Sequence, residues 1–303
     1  MKQAFLKLHL AIILAGFTGV FGKLITLNEG LLVWYRLFLS AILLAVLLLI
    51  SKRLERISGA EFLKIGLAGF LLGLHWIFFY GSIKYSNISI GVVCFSMTGF
   101  FTAILAPILN RKKFSLAELL LSALTLLGIG LIFHFDTKYR TGIILGIISS
   151  LIVAFFTVFN ERLSKLYSSE TVTLYEMTGG FLGLTLIMPV YLLISPVSSI
   201  LPSATDLGYL LLLASFCTVL LYLLVTQALR RISAFTVNLS FNLEPVYGIL
   251  LAILIYQENK ELSAPFYIGL ALIILSVLFQ MLRVIAQNRR PVLNNPVQRT
   301  ANL

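Results

Sequence analysis

Residues 84–98 read KYSNISIGVVCFSMT, and residues 230–244 read RRISAFTVNLSFNLE. Each segment begins with basic residues and a short polar break, and each then continues as an apolar run. A shift of 146 positions aligns the longer stretches 82–133 and 228–279 without a gap. Self-similarity at a fixed spacing is the mark of a repeated structural unit. We therefore predict that the chain contains two copies of one fold unit.

The composition predicts that this unit lies in a lipid bilayer. Of the 303 residues, 59% are hydrophobic and only 12% are charged, which leaves too little polar surface for a water-soluble protein. A helix needs about 20 mostly apolar residues to cross a bilayer. Such stretches recur along the whole chain and predict ten transmembrane helices, at 5–24, 30–51, 63–83, 87–109, 116–134, 142–162, 172–194, 207–229, 232–255 and 264–284.

The positive charges predict how these helices are oriented. When the loops are assigned alternately to two sides, seventeen Lys and Arg residues fall on one side and five on the other. Cytoplasmic loops carry an excess of Lys and Arg. Both termini are therefore predicted to be cytoplasmic, and the net charge of +11 is explained without a nucleic-acid partner.

The predicted helices divide into three regions. Residues 1–134 form a first repeat of five helices, residues 140–285 form a second, and residues 286–303 form a polar cytoplasmic tail. Five is an odd number, so the second repeat enters the membrane with the opposite orientation to the first. The predicted fold class is an all-α integral membrane protein of two inverted five-helix repeats.

One motif connects this organisation to a known family. Leu243–Tyr247 reads LEPVY, Tyr256–Glu258 reads YQE, and Gly269 follows in the next predicted span. Together with Arg36 and Pro107, this pattern resembles the EamA-like ten-helix carriers of the drug/metabolite transporter superfamily. The resemblance implies a permease of the inner membrane that exports small organic metabolites or drugs, with proton coupling and alternating access.

The two repeats are not chemically equivalent. The alignment places Phe95 on Phe241, but Thr98-Gly99 of the first repeat stands where the second has Glu244-Pro245. Any chemistry that requires a carboxyl group at this position therefore belongs to the second repeat.

Glu244 is the strongest candidate for a functional residue. A carboxylate near the middle of a transmembrane helix is costly and normally faces protein or a wet cavity. Pro245 lacks an amide hydrogen, so the carbonyl of Phe241 loses its helical partner and a kink beside the carboxylate is expected. The site would suit a proton or a polar substrate group. In the alternative interpretation, Glu244 only bonds neighbouring helices and holds the fold.

Two further charged residues lie in predicted spans. Arg36 is expected near one end of the second span, where it either binds an anionic group or extends to the lipid headgroups, and we favour a structural role. Glu176 is expected near one end of the seventh span, where a position at the membrane–water interface lowers the free-energy cost of its charge. It is the weaker candidate.

Aromatic and hydroxyl side chains recur on equivalent faces of the two repeats. Trp76 and Tyr80 are four residues apart on one helix face, and the shift maps them onto Tyr222 and Thr226, with Thr218 one turn earlier. Such a wall favours amphipathic or uncharged solutes. Interhelical packing is the alternative. Other candidate wall residues, each of which could instead form a helix-to-helix hydrogen bond, are Asn242, His75, Asn238, Gln227, Asn160 and Thr157.

Other classes of function lack their motifs. The sequence has no phosphate-binding Gly-x-x-x-x-Gly-Lys segment and no His-Glu-x-x-His, and its three histidines are not spaced for a metal. We predict a secondary transporter without cofactors, whose partners are a small-molecule substrate, protons and membrane lipid. The alternatives are an intramembrane enzyme, which would need a cluster of catalytic groups, and a membrane sensor or scaffold, which would ordinarily carry a soluble output domain.

Overall fold

A computed structural model of the chain describes residues 2–111, 113–134, 139–197, 199–257 and 264–289. Each of the ten predicted spans is helical. Within the described residues, nine of the helices are long and apolar enough to cross a membrane, while the apolar part of the fifth is shorter. The helices are α1 Lys2–Leu24, α2 Glu29–Ile50, α3 Gly59–Lys84, α4 Ile88–Asn110, α5 Leu116–His134, α6 Arg140–Leu166, α7 Ser169–Ile194, α8 Ala204–Leu229, α9 Ala234–Tyr256 and α10 Ala264–Arg289.

Very short polar breaks are sufficient to separate consecutive helices. Asn87 accepts a hydrogen bond from the backbone N–H of Ile90 at 2.8 Å and so caps α4. Ser233 caps α9 in the same way through the N–H of Thr236. A cap residue both satisfies a free N–H group and fixes where the helix begins. The α3–α4 and α8–α9 connections, the two shortest predicted, are therefore well defined.

The two repeats interlock. The first helix of each repeat packs against the third and fourth helices of the other: α1 against α8 and α9, and α6 against α3 and α4. The last helices, α5 and α10, pack on each other beside this core. The reciprocal contacts are those that two copies of opposite orientation must make. The predicted fold class is confirmed.

Glycines allow α3 and α7 to cross in close contact. A Cβ atom on Gly69 would clash with the carbonyl oxygen of Glu176, and one on Gly179 would clash with the Cα of Gly66. In lipid, where apolar burial between helices gains little, such close backbone packing is a main source of helix association. The crossing fixes the position of Glu176 relative to the first repeat.

We expect Gly69→Ala to lower the thermal unfolding midpoint in detergent, because the added methyl group meets backbone atoms that cannot move aside. Gly130→Ala is the matched control, since a Cβ atom there has no atom of a described residue within 4 Å. In a helix, that control change should stabilise the protein by roughly 0.5–1 kcal/mol. Equal midpoints for the two variants would show that the α3–α7 crossing is not tight.

The C-terminal boundary differs from the prediction. Helix α10 continues to Arg289, beyond the predicted end at 284. The rest of the predicted tail, from 290 to 303, lies outside the described residues, as does Glu258 of the motif.

Candidate functional site

Helix α9 is interrupted where the sequence predicts a kink. It consists of a helix over Ala234–Ser240, a 3₁₀ turn over Phe241–Leu243 and a second helix over Glu244–Tyr256. The cause is Pro245, which has no N–H for the carbonyl of Phe241. Glu244 therefore stands at the N-terminus of a helical segment, where the helix dipole favours a negative charge.

Helix α4 is interrupted at the equivalent position of the first repeat. It consists of Ile88–Phe95 and Thr98–Asn110, and no proline lies at the break. The hydroxyl of Thr98 donates to the carbonyl of Phe95 at 2.6 Å and so occupies an acceptor that a continuous helix would satisfy. Paired interruptions in inverted repeats are a good indication of where a transporter binds its solute.

A small cavity lies between the two interruptions. Its volume of about 40 Å³ is enough for a few water molecules. The aromatic rings of Phe95 and Phe241 meet edge to face there, with ring centroids 6.3 Å apart. Five helices besides α4 contribute to the wall, and the full set of lining residues is Ala15, Thr18, Arg36, His75, Trp76, Phe79, Phe95, Leu221, Tyr222, Phe241 and Glu244.

Arg36 supplies a fixed positive charge to this cavity. Its Nε donates to the hydroxyl of Thr218 at 2.7 Å, one terminal nitrogen donates to the hydroxyl of Tyr80 at 2.8 Å, and the other donates to the carbonyl of Cys217 at 2.7 Å. The guanidinium also lies over the ring of Trp76, 3.6 Å from its centroid. Five N–H donors are available and three are used, so the group retains hydrogen-bonding capacity.

A π-helical segment in α8 provides two of these acceptors. Over Ser215–Leu220 the helix widens, and the hydroxyl of Thr218 donates to the carbonyl of Leu213. The carbonyl of Cys217 is then free to accept from Arg36. Short π-helical segments occur frequently at functional sites. Residues of the second repeat thus hold an arginine that belongs to the first.

Glu244 faces the same cavity without a fixed partner. It is 4% exposed, and its carboxyl group makes no hydrogen bond or ion pair with any residue that the structure describes. Arg36 acts on it electrostatically across the cavity. A carboxyl group in this position can exchange a proton or bind a polar group without breaking a protein contact.

Two charged residues are more buried than their positions near helix ends suggested. Of the alternatives for Arg36, extension to the headgroups does not occur, because the side chain is 1% exposed and bonded to the opposite repeat. Glu176 is not exposed at an interface, because it is 0% exposed and its backbone packs on Gly69 of α3. The distance from a helix end does not show which neighbouring helices cover each face.

The other predicted site residues separate into two groups. Trp76 and Tyr222 both line the cavity and contact each other edge to face, with centroids 5.4 Å apart. Tyr80 and Thr218 hold Arg36. Pro245 follows Glu244 at the helix break.

Thr226 and Asn242 do not line the cavity. The amide of Asn242 points towards the hydroxyl of Thr125 on α5, at 3.5 Å. Thr226 is also buried, but it lies one helical turn after Tyr222, closer to the C-terminal end of α8.

Sequence reasoning did not select Thr18, Phe79, Phe95 or Phe241 as wall residues. The alignment of the repeats carried a signal for two of them, since it places Phe95 on Phe241, and such symmetry-related aromatic residues are expected near the axis between inverted repeats. Thr18 carries no such signal.

Two wider vestibules lie at opposite ends of the bundle. The first has a volume of about 960 Å³ and lies where α1 begins and where the α6–α7 and α8–α9 turns are found. We call this end of the bundle the basic face, because its lining includes Lys7, Lys165, Arg230 and Arg231. The second, about 840 Å³, is at the opposite face. The central cavity shares no lining residue with either vestibule, and its volume of about 40 Å³ is too small for an organic solute.

Each face has a contact between α8 and the first repeat. On the basic face, Lys7 of α1 donates to the side chain of Gln227 at 2.5 Å. On the opposite face, the backbone and hydroxyl of Thr26 donate to Asp206 at 2.8 and 2.7 Å. Interlocked inverted repeats around a small central cavity that contains two charged residues, with a vestibule at each end, define the class of this protein as a multi-pass membrane transporter.

Comparison with known proteins gives the family. The model of the EamA-like transporter family matches residues 3–134 and 140–282, and the chain belongs to that family. A Haemophilus influenzae protein described as an uncharacterized transporter is 26% identical over 253 residues, which are 79% of each chain. A crystal structure with 15% identity superposes with a TM-score of 0.68 and covers 91% of this chain and 96% of the other, and it supports the fold alone.

We expect Trp76→Phe to weaken solute affinity by about tenfold, which corresponds to about 1.4 kcal/mol, while the amount of folded protein in the membrane stays unchanged. The smaller ring keeps an aromatic surface under Arg36 but reshapes the cavity wall. Solute binding to purified protein measures the first quantity, and quantitative blotting of membranes measures the second. Phe216→Leu, at a position exposed to lipid, is the matched control. If the Trp76→Phe protein is merely less abundant in the membrane and its solute affinity is unchanged, Trp76 serves in helix packing.

Proposed function

We propose that this protein is a secondary transporter that exports small organic solutes across the inner membrane in exchange for protons. The observation that carries the proposal is the Glu244 carboxyl group, which faces the central cavity beside Arg36 and has no fixed partner among the described residues. A transport site that couples to protons needs a group that can be charged in one state and neutral in another.

The cavity wall favours amphipathic solutes. The wall contains the rings of Trp76, Phe79, Phe95, Tyr222 and Phe241, and the polar or charged side chains come from α1, α2, α3 and α9. Binding sites for drug-sized molecules have volumes of about 300–1,000 Å³, so this cavity must widen before a solute enters. The conformation described here is therefore an occluded state in the proposed cycle.

Opening requires the contacts at one face to separate while those at the other remain. Breaking the Lys7–Gln227 contact would open the basic face, and breaking the Thr26–Asp206 contacts would open the other. In the proposed cycle, the protonation of Glu244 differs between these two openings. A proton entering from one side then drives the solute in the other direction.

We assign the basic face to the cytoplasm, because cytoplasmic loops are rich in Lys and Arg. In a variant without Cys94 and Cys217, a single cysteine at Arg53 should react with a membrane-impermeant maleimide only after the cells are opened. A cysteine at Ser199 should react in intact cells. The reverse pattern would contradict the orientation.

The function is tested in two steps. Metabolite profiles of the medium from cells with and without the protein identify solutes that the protein exports. The purified protein, reconstituted in liposomes, should then accumulate such a solute when a pH gradient is imposed and should stop when an ionophore dissipates the gradient. Accumulation that is insensitive to the ionophore would exclude proton coupling, and an unchanged profile would exclude export.

A further inference from the structure

A second set of polar side chains is buried between the central cavity and the basic face. Asn160 of α6, Ser169, Thr173 and Glu176 of α7, and Thr226 of α8 each have a side-chain polar atom without a hydrogen-bond partner among the described residues. They are 0–2% exposed. A buried polar atom without a partner costs about 1–3 kcal/mol, so an accumulation of such atoms indicates that something else hydrogen-bonds to them.

Three of these residues form a row along α7. Ser169, Thr173 and Glu176 are spaced at i, i+4 and i+7 and therefore share one helix face. The outer end of the row is open to water, because Ser169 lines the basic vestibule. Helix α8, which packs on α7, contributes Gln227 to the same vestibule and Thr226 next to it in sequence.

The inner end of the row reaches the central cavity. Glu176 is the innermost of the three residues on α7, which packs on α8, and α8 supplies Tyr222 to the wall of the cavity that holds Glu244. The row therefore extends from the basic vestibule to the wall of the central site.

We propose that this row is a water-filled proton path from the basic face, in which Glu176 is the proton-binding relay. The proposal rests on the proposed function, since it supplies Glu244 with protons. A carboxylate oxygen of Glu176 accepts a proton from a hydronium ion on the vestibule side, which leaves a water molecule. The carboxylic acid then gives the proton to a water molecule on the cavity side and returns to the carboxylate. The residues of the row are too buried to admit an organic solute, whereas hydroxyl, amide and carboxyl groups are the partners that ordered water uses.

The surroundings of Glu176 suit a group that changes protonation. The backbone of Glu176 packs on Gly69 of α3, and the α6 side chain of the set is the neutral Asn160. The ionisable and charged groups along the path are Lys7, Lys165, Glu170, Arg230 and Arg231 at the vestibule, Tyr222 at the inner end, and Arg36 and Glu244 beyond it.

The water path is tested by thiol reactivity, which does not depend on transport. In a variant without Cys94 and Cys217, Thr173→Cys should react with a small cationic methanethiosulfonate about tenfold faster than Val172→Cys, a difference of about 1.4 kcal/mol. Val172 is the matched control, because it is the adjacent residue, is equally buried and packs in the apolar core. Equal, slow reaction at both positions would overturn the path.

The relay is tested by infrared spectroscopy of the purified protein during a pH titration. We expect a carboxylic-acid band that changes with pH and disappears in Glu176→Gln, and a different band that disappears in Glu244→Gln. If Glu176→Gln removes no pH-dependent band, the relay is wrong while the proposed role of Glu244 is unaffected. If only Glu176→Gln removes one, the relay stands and proton coupling at Glu244 fails.

Discussion

Replacing Glu244 with glutamine is expected to abolish solute accumulation driven by a pH gradient, down to the level of protein-free liposomes. Glutamine keeps the size and much of the hydrogen-bonding capacity of the side chain but cannot take up or release a proton. Exchange of solute down its own gradient should persist, because the cavity wall is otherwise intact. Transport assays in liposomes, with and without an imposed pH gradient, measure the two activities separately.

The control for this experiment is Glu170→Gln, which removes a carboxyl group from the basic vestibule instead of the central cavity. It should retain gradient-driven accumulation. Both variants should show the unfolding midpoint of the native protein in detergent, since Glu244 has no described hydrogen-bond partner to lose. If Glu244→Gln transports uphill with an unchanged response to pH, Glu244 is not the coupling group and its role is to hold the helix break.

Replacing Arg36 with methionine is expected to destabilise the folded protein by about 3–5 kcal/mol. The change removes the donors to Tyr80, Cys217 and Thr218 and the cation beside Glu244, and it leaves these buried groups without their partner. The free energy of unfolding in mixed micelles measures the loss. Arg56→Met, at an exposed position, should change it little.

Replacing Arg36 with lysine distinguishes the effect of the positive charge from the effect of the hydrogen-bond geometry of the guanidinium group. Lysine keeps the positive charge but lacks the planar fork that bonds three acceptors and stacks on Trp76. We expect this variant to recover part of the stability and little of the transport. If it transports normally, a positive charge alone is sufficient and the hydrogen-bond network on α8 is incidental to transport.

Much of the fold could be predicted because the relevant signals are local. The number of spans follows from hydropathy, the caps at Asn87 and Ser233 from residue type, and the break before Glu244 from the missing N–H of Pro245. The internal alignment predicted the two repeats. The odd number of helices in each repeat predicted that the repeats have opposite orientations in the membrane. The distribution of Lys and Arg among the loops predicts which face of the protein is cytoplasmic, and the cysteine-labelling experiment tests this prediction.

The arrangement of the site could be predicted only in part. Repeat symmetry suggested Trp76 and Tyr222 as wall residues, and both line the cavity, but it also suggested Thr226, which does not. It did not indicate that α8 widens at Cys217 to bind Arg36, because that interaction joins the two repeats across residues far apart in sequence.

The sequence by itself determined that this protein is a membrane transporter of two inverted repeats with a carboxyl group at the break of its ninth helix. The tertiary structure decided which faces of the helices meet, and so placed Arg36 in the centre, Glu176 at a buried crossing and Asn242 outside the cavity. The physical reason is the solvent. Lipid is as apolar as a leucine side chain, so apolar residues occupy the lipid-facing and protein-facing sides of a helix alike, and hydropathy cannot distinguish these sides.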